Sequence, residues 1–243
     1  MSNGIDNTAV SIKDSVALVR EQIARAAGRA GRDPSQIKLI AVSKTKPPEL
    51  IYEAYCEGLV SFGENYAREL TEKIESESLR GLSGIEWHMI GHLQTNKVKA
   101  LIGKTALIQS LDSIRLAAEI QKQAAQKALT ADVLLEINIA KEPNKYGFFA
   151  EEAGEAAARI SAFPNIRVLG LMACAPLTDN PEHNRIYFKQ LHELFLDIGN
   201  KDMDNIHMRV LSMGMSGDFG VAIEEGSTML RIGTRLFGRR FQS

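Results

Sequence analysis

The stretch from Ile37 to Asn65, IKLIAVSKTKPPELIYEAYCEGLVSFGEN, contains the unit from which the fold is read. Two short β-rich apolar runs, IKLIAVSK (37–44) and LVSFGEN (59–65), bracket a segment of helical composition. The same alternation continues through IEWHMIG (85–91), ALIQSLD (106–112), DVLLEINIA (132–140), IRVLGLMA (166–173), HMRVLSMGM (207–215) and TMLRIGTRLFG (228–238). Between the runs, apolar and small residues recur at helical spacing, as in Ile114/Ala117/Ala118/Gln121 and Tyr187/Leu191/Leu194/Ile198. The runs recur on average about 27 residues apart, long enough for a strand, a helix and a return. Strands that alternate with helices predict a parallel sheet. Eight of them in a chain of this length predict an α/β fold of the (β/α)8 TIM barrel type, with a doubly wound open sheet as the competing arrangement.

Ahead of the first run, Ile12, Val16, Val19, Ile23 and Ala26 form one apolar helical face that ends near Gly28 and Gly31. An extra N-terminal helix covering the barrel is therefore expected. No linker, low-complexity tract or composition break interrupts the 243 residues, so residues 1–243 are expected to form a single barrel domain.

Composition narrows the function. The chain is 44% apolar and 24% charged, with 29 Lys+Arg against 30 Asp+Glu. That balance is ordinary for a globular protein and excludes a disordered or disulfide-scaffold class. A formal net charge of −1 offers no bulk attraction to nucleic acid or to an anionic membrane, so neither is expected as a partner. Cys56 and Cys174 form no CxxC and read as reduced thiols. The amino end lacks the apolar run of a signal peptide, and the longest mainly apolar stretch, Val168 to Leu177, is half of a membrane span. A cytoplasmic location is expected.

In both candidate folds ligands bind at the carboxyl ends of the strands. The first strand runs into Ser43-Lys44-Thr45-Lys46-Pro47. A lysine amine beside buried strand residues is costly unless paired or held neutral, and the neutral amine is the form that attacks a carbonyl. Lys46 would share the side of Lys44 if the strand continued, unless Pro47 turns the chain first. The plainer reading is that both lysines reach solvent. The seventh strand ends in Ser212-Met213-Gly214-Met215-Ser216-Gly217-Asp218, followed by a short helix from Phe219 to Glu225; glycines, hydroxyls and backbone amides there make an anion cradle. Arg231-Ile232-Gly233-Thr234 on the eighth strand adds a second such element at the position where barrels bind phosphate. Two tight turns with Ser216 or Asp218 as a cap are the alternative. Arg231 in an apolar strand needs partners, Glu136 among the candidates. Asn65 either bonds a ring substituent or caps the helix that follows.

Other chemistries find little support. His88 and His92 sit on strand and turn, not on the helix of an HExxH zinc site, and no metal site is expected. Gly214-Met215-Ser216-Gly217 misses the GxSxG spacing by one residue. Neither GxGxxG after the first strand nor GxxxxGK[ST] occurs. Arg235, Arg239 and Arg240 form a small basic group that reads as a solvated face.

The segments LIAVSKTKP, FGENY, IEWHMIGHLQTNK, INIAKEPNKYGF, VLGLMA, LSMGMSGD and TMLRIGTRLFG span nearly the whole chain. Together they resemble the pyridoxal phosphate homeostasis proteins, relatives of the amino-terminal barrel of alanine racemase (PLP fold type III). The resemblance implies that Lys44 carries pyridoxal 5′-phosphate (PLP) as a Schiff base. It implies that Ser212, Gly214, Met215, Ser216, Gly233 and Thr234 hold the phosphate and that Arg231 faces the pyridine nitrogen. Asn65, His88 and Met172 would line the cofactor pocket. A cation beside the ring nitrogen disfavours its protonation and weakens the ring as an electron sink. Alanine racemase takes a tyrosine base from a second domain. This sequence ends at Ser243 directly after the eighth strand, and none of its five tyrosines sits where it would replace that base. The expectation is thus no catalytic residue, but a cofactor binder that buffers PLP and delivers it to PLP-dependent apo-enzymes. A weak amino-acid racemase, or a Schiff-base lyase using Lys44, is the alternative. No long apolar helix face calls for a partner, so a monomer is expected, with a dimer as the alternative.

Overall fold

Residues 11–238 are described by the computed structural model, and their eight strands close into a parallel barrel in sequence order. The strands are β1 (Lys38–Val42), β2 (Ser61–Glu64), β3 (Glu86–Met89), β4 (Leu107–Leu111), β5 (Ala131–Glu136), β6 (Ile166–Met172), β7 (Ile206–Ser212) and β8 (Met229–Ile232). Pairing of β8 with β1, with Ile40 beside Arg231, closes the ring and excludes the open sheet. The helices are α1 (Ile12–Arg29), α2 (Pro48–Cys56), α3 (Ala67–Glu75), α4 (Val98–Leu101), α5 (Ile114–Gln126), α6 (Ala153–Ile160), α7 (Arg185–Gly199), α8 (Phe219–Glu224) and α9 (Thr234–Phe237). The run TMLRIGTRLFG is strand only as far as Ile232; Gly233 turns the chain into α9.

The expected extra helix is α1. Ser11 caps it by accepting from the Asp14 N–H at 3.1 Å, and Val16, Val19, Ile23 and Ala26 are buried along one face. It packs against α8, α9 and α2, because α9 is a single turn and leaves that part of the outer ring open. There α1 covers the barrel from the side and completes its wall of helices. On α5 the buried stripe is Leu116, Ala117, Ile120, Gln123 and Ala124, so Ala118 of the expected face points to solvent. The stripe on α7 includes Leu191 and Ile198 as expected.

The main core lies between sheet and helices, and a smaller apolar cluster of Ile40, Leu107, Leu134, Met172 and Met229 fills the barrel interior. Below it, at the amino ends of the strands, Lys38 and Ser61 both bond Glu86. Between β6 and β7 the register shifts at Gly170, whose φ of 152° and close approach to the Val210 carbonyl exclude any side chain. The carboxyl ends of the strands remain open to the loops, where the site lies.

Candidate functional site

A cavity of about 380 Å³ opens at the carboxyl ends of the strands. Of the residues singled out from sequence, Lys44, Asn65, Met215, Ser216, Arg231, Gly233 and Thr234 line it. Ser212, Gly214, His88 and Met172 do not line it; they are buried or lie beneath it. A hollow of about 440 Å³ outside the barrel, between α1 and α8, is less suited to a ligand. Its arginines are already engaged: Arg29 with Glu224, Arg25 with Glu21, and Arg235 with the Ser216 carbonyl and Gln22.

Lys44 stands just past the end of β1, on a four-residue turn closed by the Lys46 N–H donating to the Ser43 carbonyl at 3.0 Å. Thr45 occupies the turn's third position with φ of 63°, a left-handed conformation that costs a β-branched residue about 1–3 kcal/mol. The turn comes before Pro47, so Lys46 does not share the side of Lys44; its Nζ donates to the Phe237 carbonyl at 2.8 Å. Behind the turn, between β2 and α3, lies a buried ion cluster. Lys73 Nζ donates to Glu64 Oε1, Glu69 Oε1 and the Ser43 carbonyl, each at 2.7 Å. Ser43 Oγ donates to Glu64 Oε1 at 2.6 Å, and the Thr45 N–H donates to Glu69 Oε1 at 2.5 Å. Burial pushes the Glu64 carboxyl up to about 7 despite Lys73, and its Oε2 has no hydrogen-bond partner among the described residues.

Across the cavity, the loops after β7 and β8 present main-chain donors. No hydrogen bond engages the amides of Ser216, Gly217, Gly233 or Thr234 among the described residues. The Met215 N–H, by contrast, is taken by Asp218 Oδ1 at 2.7 Å, and Asp218 Oδ2 accepts from Asn184 at 2.8 Å. Asp218 thus braces the loop from its foot. Gly214 has φ of 94°, and a Cβ there would lie 2.6 Å from Ala222 Cβ, so the turn from β7 into α8 requires glycine. Asn65 does not cap α3, whose N-cap is Tyr66, and its side chain is left to the cavity it lines.

Arg231 is 4% exposed and forms no ion pair with Glu136 among the described residues. Its Nη1 donates to Ser212 Oγ at 2.5 Å, and its Nη2 to the Ala173 carbonyl at 2.8 Å and to Cys174 Sγ at 3.3 Å. Burial pushes Glu136 up to about 7, with the nearby charge of Asp112 adding to the effect and Arg231 opposing it from a distance. A guanidinium only donates, which sets the direction of every bond behind it. Ser212 therefore donates to Gln109 Oε1 at 2.7 Å, and Gln109 Nε2 donates to His88 Nδ1 at 3.0 Å. His88 accepts on Nδ1, carries its proton on Nε2, and is kept neutral by burial. So His88 and Ser212 reach the cavity through Arg231, while Met172 packs in the apolar cluster of the barrel interior.

Sequence reading missed Cys174, Asn184 and Asp218 as cavity residues, and the Glu64–Lys73–Glu69 cluster entirely. Two faint signals existed: Cys174 shares the inward face of β6 with Met172, and Glu69 and Lys73 are spaced i, i+4. His92 Nδ1 pairs with Asp112 at 2.6 Å and its ring stacks on Tyr146; no metal-binding cluster occurs among the described residues. Arg239 and Arg240 lie outside the described residues, while Arg235 stacks over Phe219 and bonds the Ser216 carbonyl.

The model of the alanine racemase N-terminal domain family matches residues 15–240. The pyridoxal phosphate homeostasis protein of Aquifex aeolicus is 47% identical over 227 residues, covering 93% of this chain and 97% of that relative. The chain belongs to the pyridoxal phosphate homeostasis protein family. A solved structure similar to this family member is that of PipY from Synechococcus elongatus with PLP bound. It is 30% identical, has a TM-score of 0.81, and covers 94% of this chain and 100% of its own. Alanine racemase of Clostridium difficile shares the barrel at 15% identity and a TM-score of 0.68, with 95% of this chain matching 58% of that enzyme. Described residues of the family member include no helix long and apolar enough to cross a membrane.

Proposed function

We propose that this chain, as one PLP-binding barrel domain, holds pyridoxal 5′-phosphate as a Schiff base on Lys44 and buffers or supplies it inside the cell without efficient catalysis. The observation that carries the reading is that Lys44, Arg231 and two loops with unengaged amides line the same 380 Å³ cavity. The donor set fits the group: the Ser216, Gly217, Gly233 and Thr234 amides suit a phosphate, and the hydroxyls of Ser216 and Thr234 add to them. Arg231 is suited to lie against a ring nitrogen that stays unprotonated, and Asn65 to bond a ring substituent. When bound, the group supplies an aldehyde for the lysine amine and a ring that can accept electrons from a bound amine. The names of the curated relatives and the PLP in the PipY structure support the same reading.

The lining also supports a holding role over turnover. Its ionisable side chains among the described residues are Lys44, Cys174, Asp218 and Arg231. Asp218 is committed to Met215 and Asn184, and Arg231 only donates. A cation at the ring nitrogen further restrains carbanion formation. A cavity open to solvent at the strand ends supports delivery to apo-enzymes, which would be the partners.

The test is chiral chromatography of L-alanine incubated with the PLP-loaded protein. The expected result is D-alanine no faster than with free PLP. Conversion well above that background makes the protein a racemase and overturns the holding role.

A further inference from the structure

We propose that Glu69, together with Lys73 and Glu64, is a positioning device for Lys44: an ion cluster behind the barrel wall fixes the turn on which the lysine stands. The inference rests on the reading of Lys44 as the covalent anchor, and it names what places that anchor.

The geometry is reciprocal. Each carboxylate uses one oxygen to bridge the Lys73 ammonium and one residue of the turn: Glu64 takes the Ser43 hydroxyl, and Glu69 takes the Thr45 N–H. Lys73 itself bonds the Ser43 carbonyl, which already closes the turn. The residues on both sides of Lys44 are therefore tied to one buried cation, whose side chain is 5% exposed. A cluster meant only to stabilise the fold would have no need to be buried, since burying charges gains little over apolar packing. Nor would it need to end on the one turn residue whose left-handed φ must be held against its preference. Rigid placement of an amine relative to a bound aldehyde is what such an arrangement supplies, because small displacements of a reacting group lower its effective concentration steeply.

Two probes separate the anchor from the cradle. PLP reports both, while pyridoxine 5′-phosphate has the same ring and phosphate but no aldehyde, and so reports the cradle alone. Glu69, 22% exposed at its side chain, is the accessible member of the cluster. The expected result for Glu69→Ala is about tenfold weaker PLP binding and a slower rise of the near-visible band, a loss comparable to that of one charge-assisted hydrogen bond. Pyridoxine 5′-phosphate affinity is expected to stay within about twofold of the unmodified protein. Glu69→Gln, which keeps an oxygen for the Thr45 N–H, is expected to recover most of the loss. Ser43→Ala removes one tie without touching a charge, and is expected to weaken PLP alone by about threefold; it serves if Glu69→Ala does not fold. Equal losses for both probes, or unchanged PLP binding in a folded variant, overturn the positioning role. Failure of the anchor reading looks different: the unmodified protein itself then forms no band, and Lys44→Ala binds PLP as tightly as before.

Discussion

The two sides of the cavity hold their chemistry by different means. On the β1–β2 side, Lys44 rides on a strained turn gripped by Glu64, Lys73 and Glu69 from behind the sheet. On the β7–β8 side, the groups presented are largely main-chain amides, shaped by Gly214 and braced by Asp218 and Arg235. The first depends on the charges of Glu64, Glu69 and Lys73 brought together on Ser43 and Thr45 of the turn; the second depends on local backbone geometry. On the proposed reading the site is two devices, one for a covalent anchor and one for an anion, and they are expected to fail separately.

The sharpest way to separate them is Gly214→Ala. A Cβ at φ of 94°, 2.6 Å from Ala222 Cβ, forces the β7–α8 loop to move. The expected cost is about 4 kcal/mol of stability, read by denaturant titration, with PLP and pyridoxine 5′-phosphate binding weakened together. Arg231→Ala comes next. It strips the donor from Ser212 Oγ and the Ala173 carbonyl, with an expected loss of about 3 kcal/mol. It is also expected to shift the pH titration of the near-visible band; an unchanged titration would place Arg231 away from the ring.

The smallest effect concerns pH and tests the anchor side alone. The Glu64 carboxyl is pushed by burial from its ordinary value of 4.5 to about 7, in a site it shares with Lys73 and Glu69. The folded protein then binds more protons than the unfolded chain between those pH values. The stability linked to this carboxyl is fully present below about pH 4.5 and is lost as the pH rises to about 7. Glu64→Gln keeps the amide oxygen for Ser43 and Lys73 and is expected to remove roughly 2 kcal/mol of that decline. Denaturant titrations at pH 5 and pH 8 measure it. A decline as steep in the variant as in the unmodified protein would assign the pH dependence elsewhere, with Glu136 the next group to test.

The same contrast accounts for what could be read from the sequence. Eight apolar runs, the α1 stripe and the two glycine-containing loops are local patterns, and each is found in the structure, with the eighth run strand only as far as Ile232. Alternation along a strand tells which side chains face inward, but not how high they stand; tilt and stagger of the strands decide that. Ser212, His88 and Met172 face inward as the alternation implies, but they are buried and do not line the cavity. The two former residues instead continue the hydrogen bonds of Arg231 inward. For Lys46 the open alternative is decided by the turn at Ser43–Lys46, which ends the alternation before Lys46 can share the side of Lys44. The ion cluster leaves no local pattern, because Ser43, Glu64 and the α3 residues Glu69 and Lys73 meet only when α3 packs against β2 and β3.

The proposed role of Lys44, and of no other lysine, is that of covalent anchor in a phosphate-holding cavity. Its most direct measurement is the absorption spectrum with PLP, before and after borohydride, followed by peptide mapping of the reduced protein. The expected result is a near-visible band that borohydride abolishes, with the label on Lys44. In Lys44→Ala no labelled peptide is expected, but weaker binding through the phosphate persists. A label on Lys46 or elsewhere in the unmodified protein, or no band at all after PLP is added, would contradict that role.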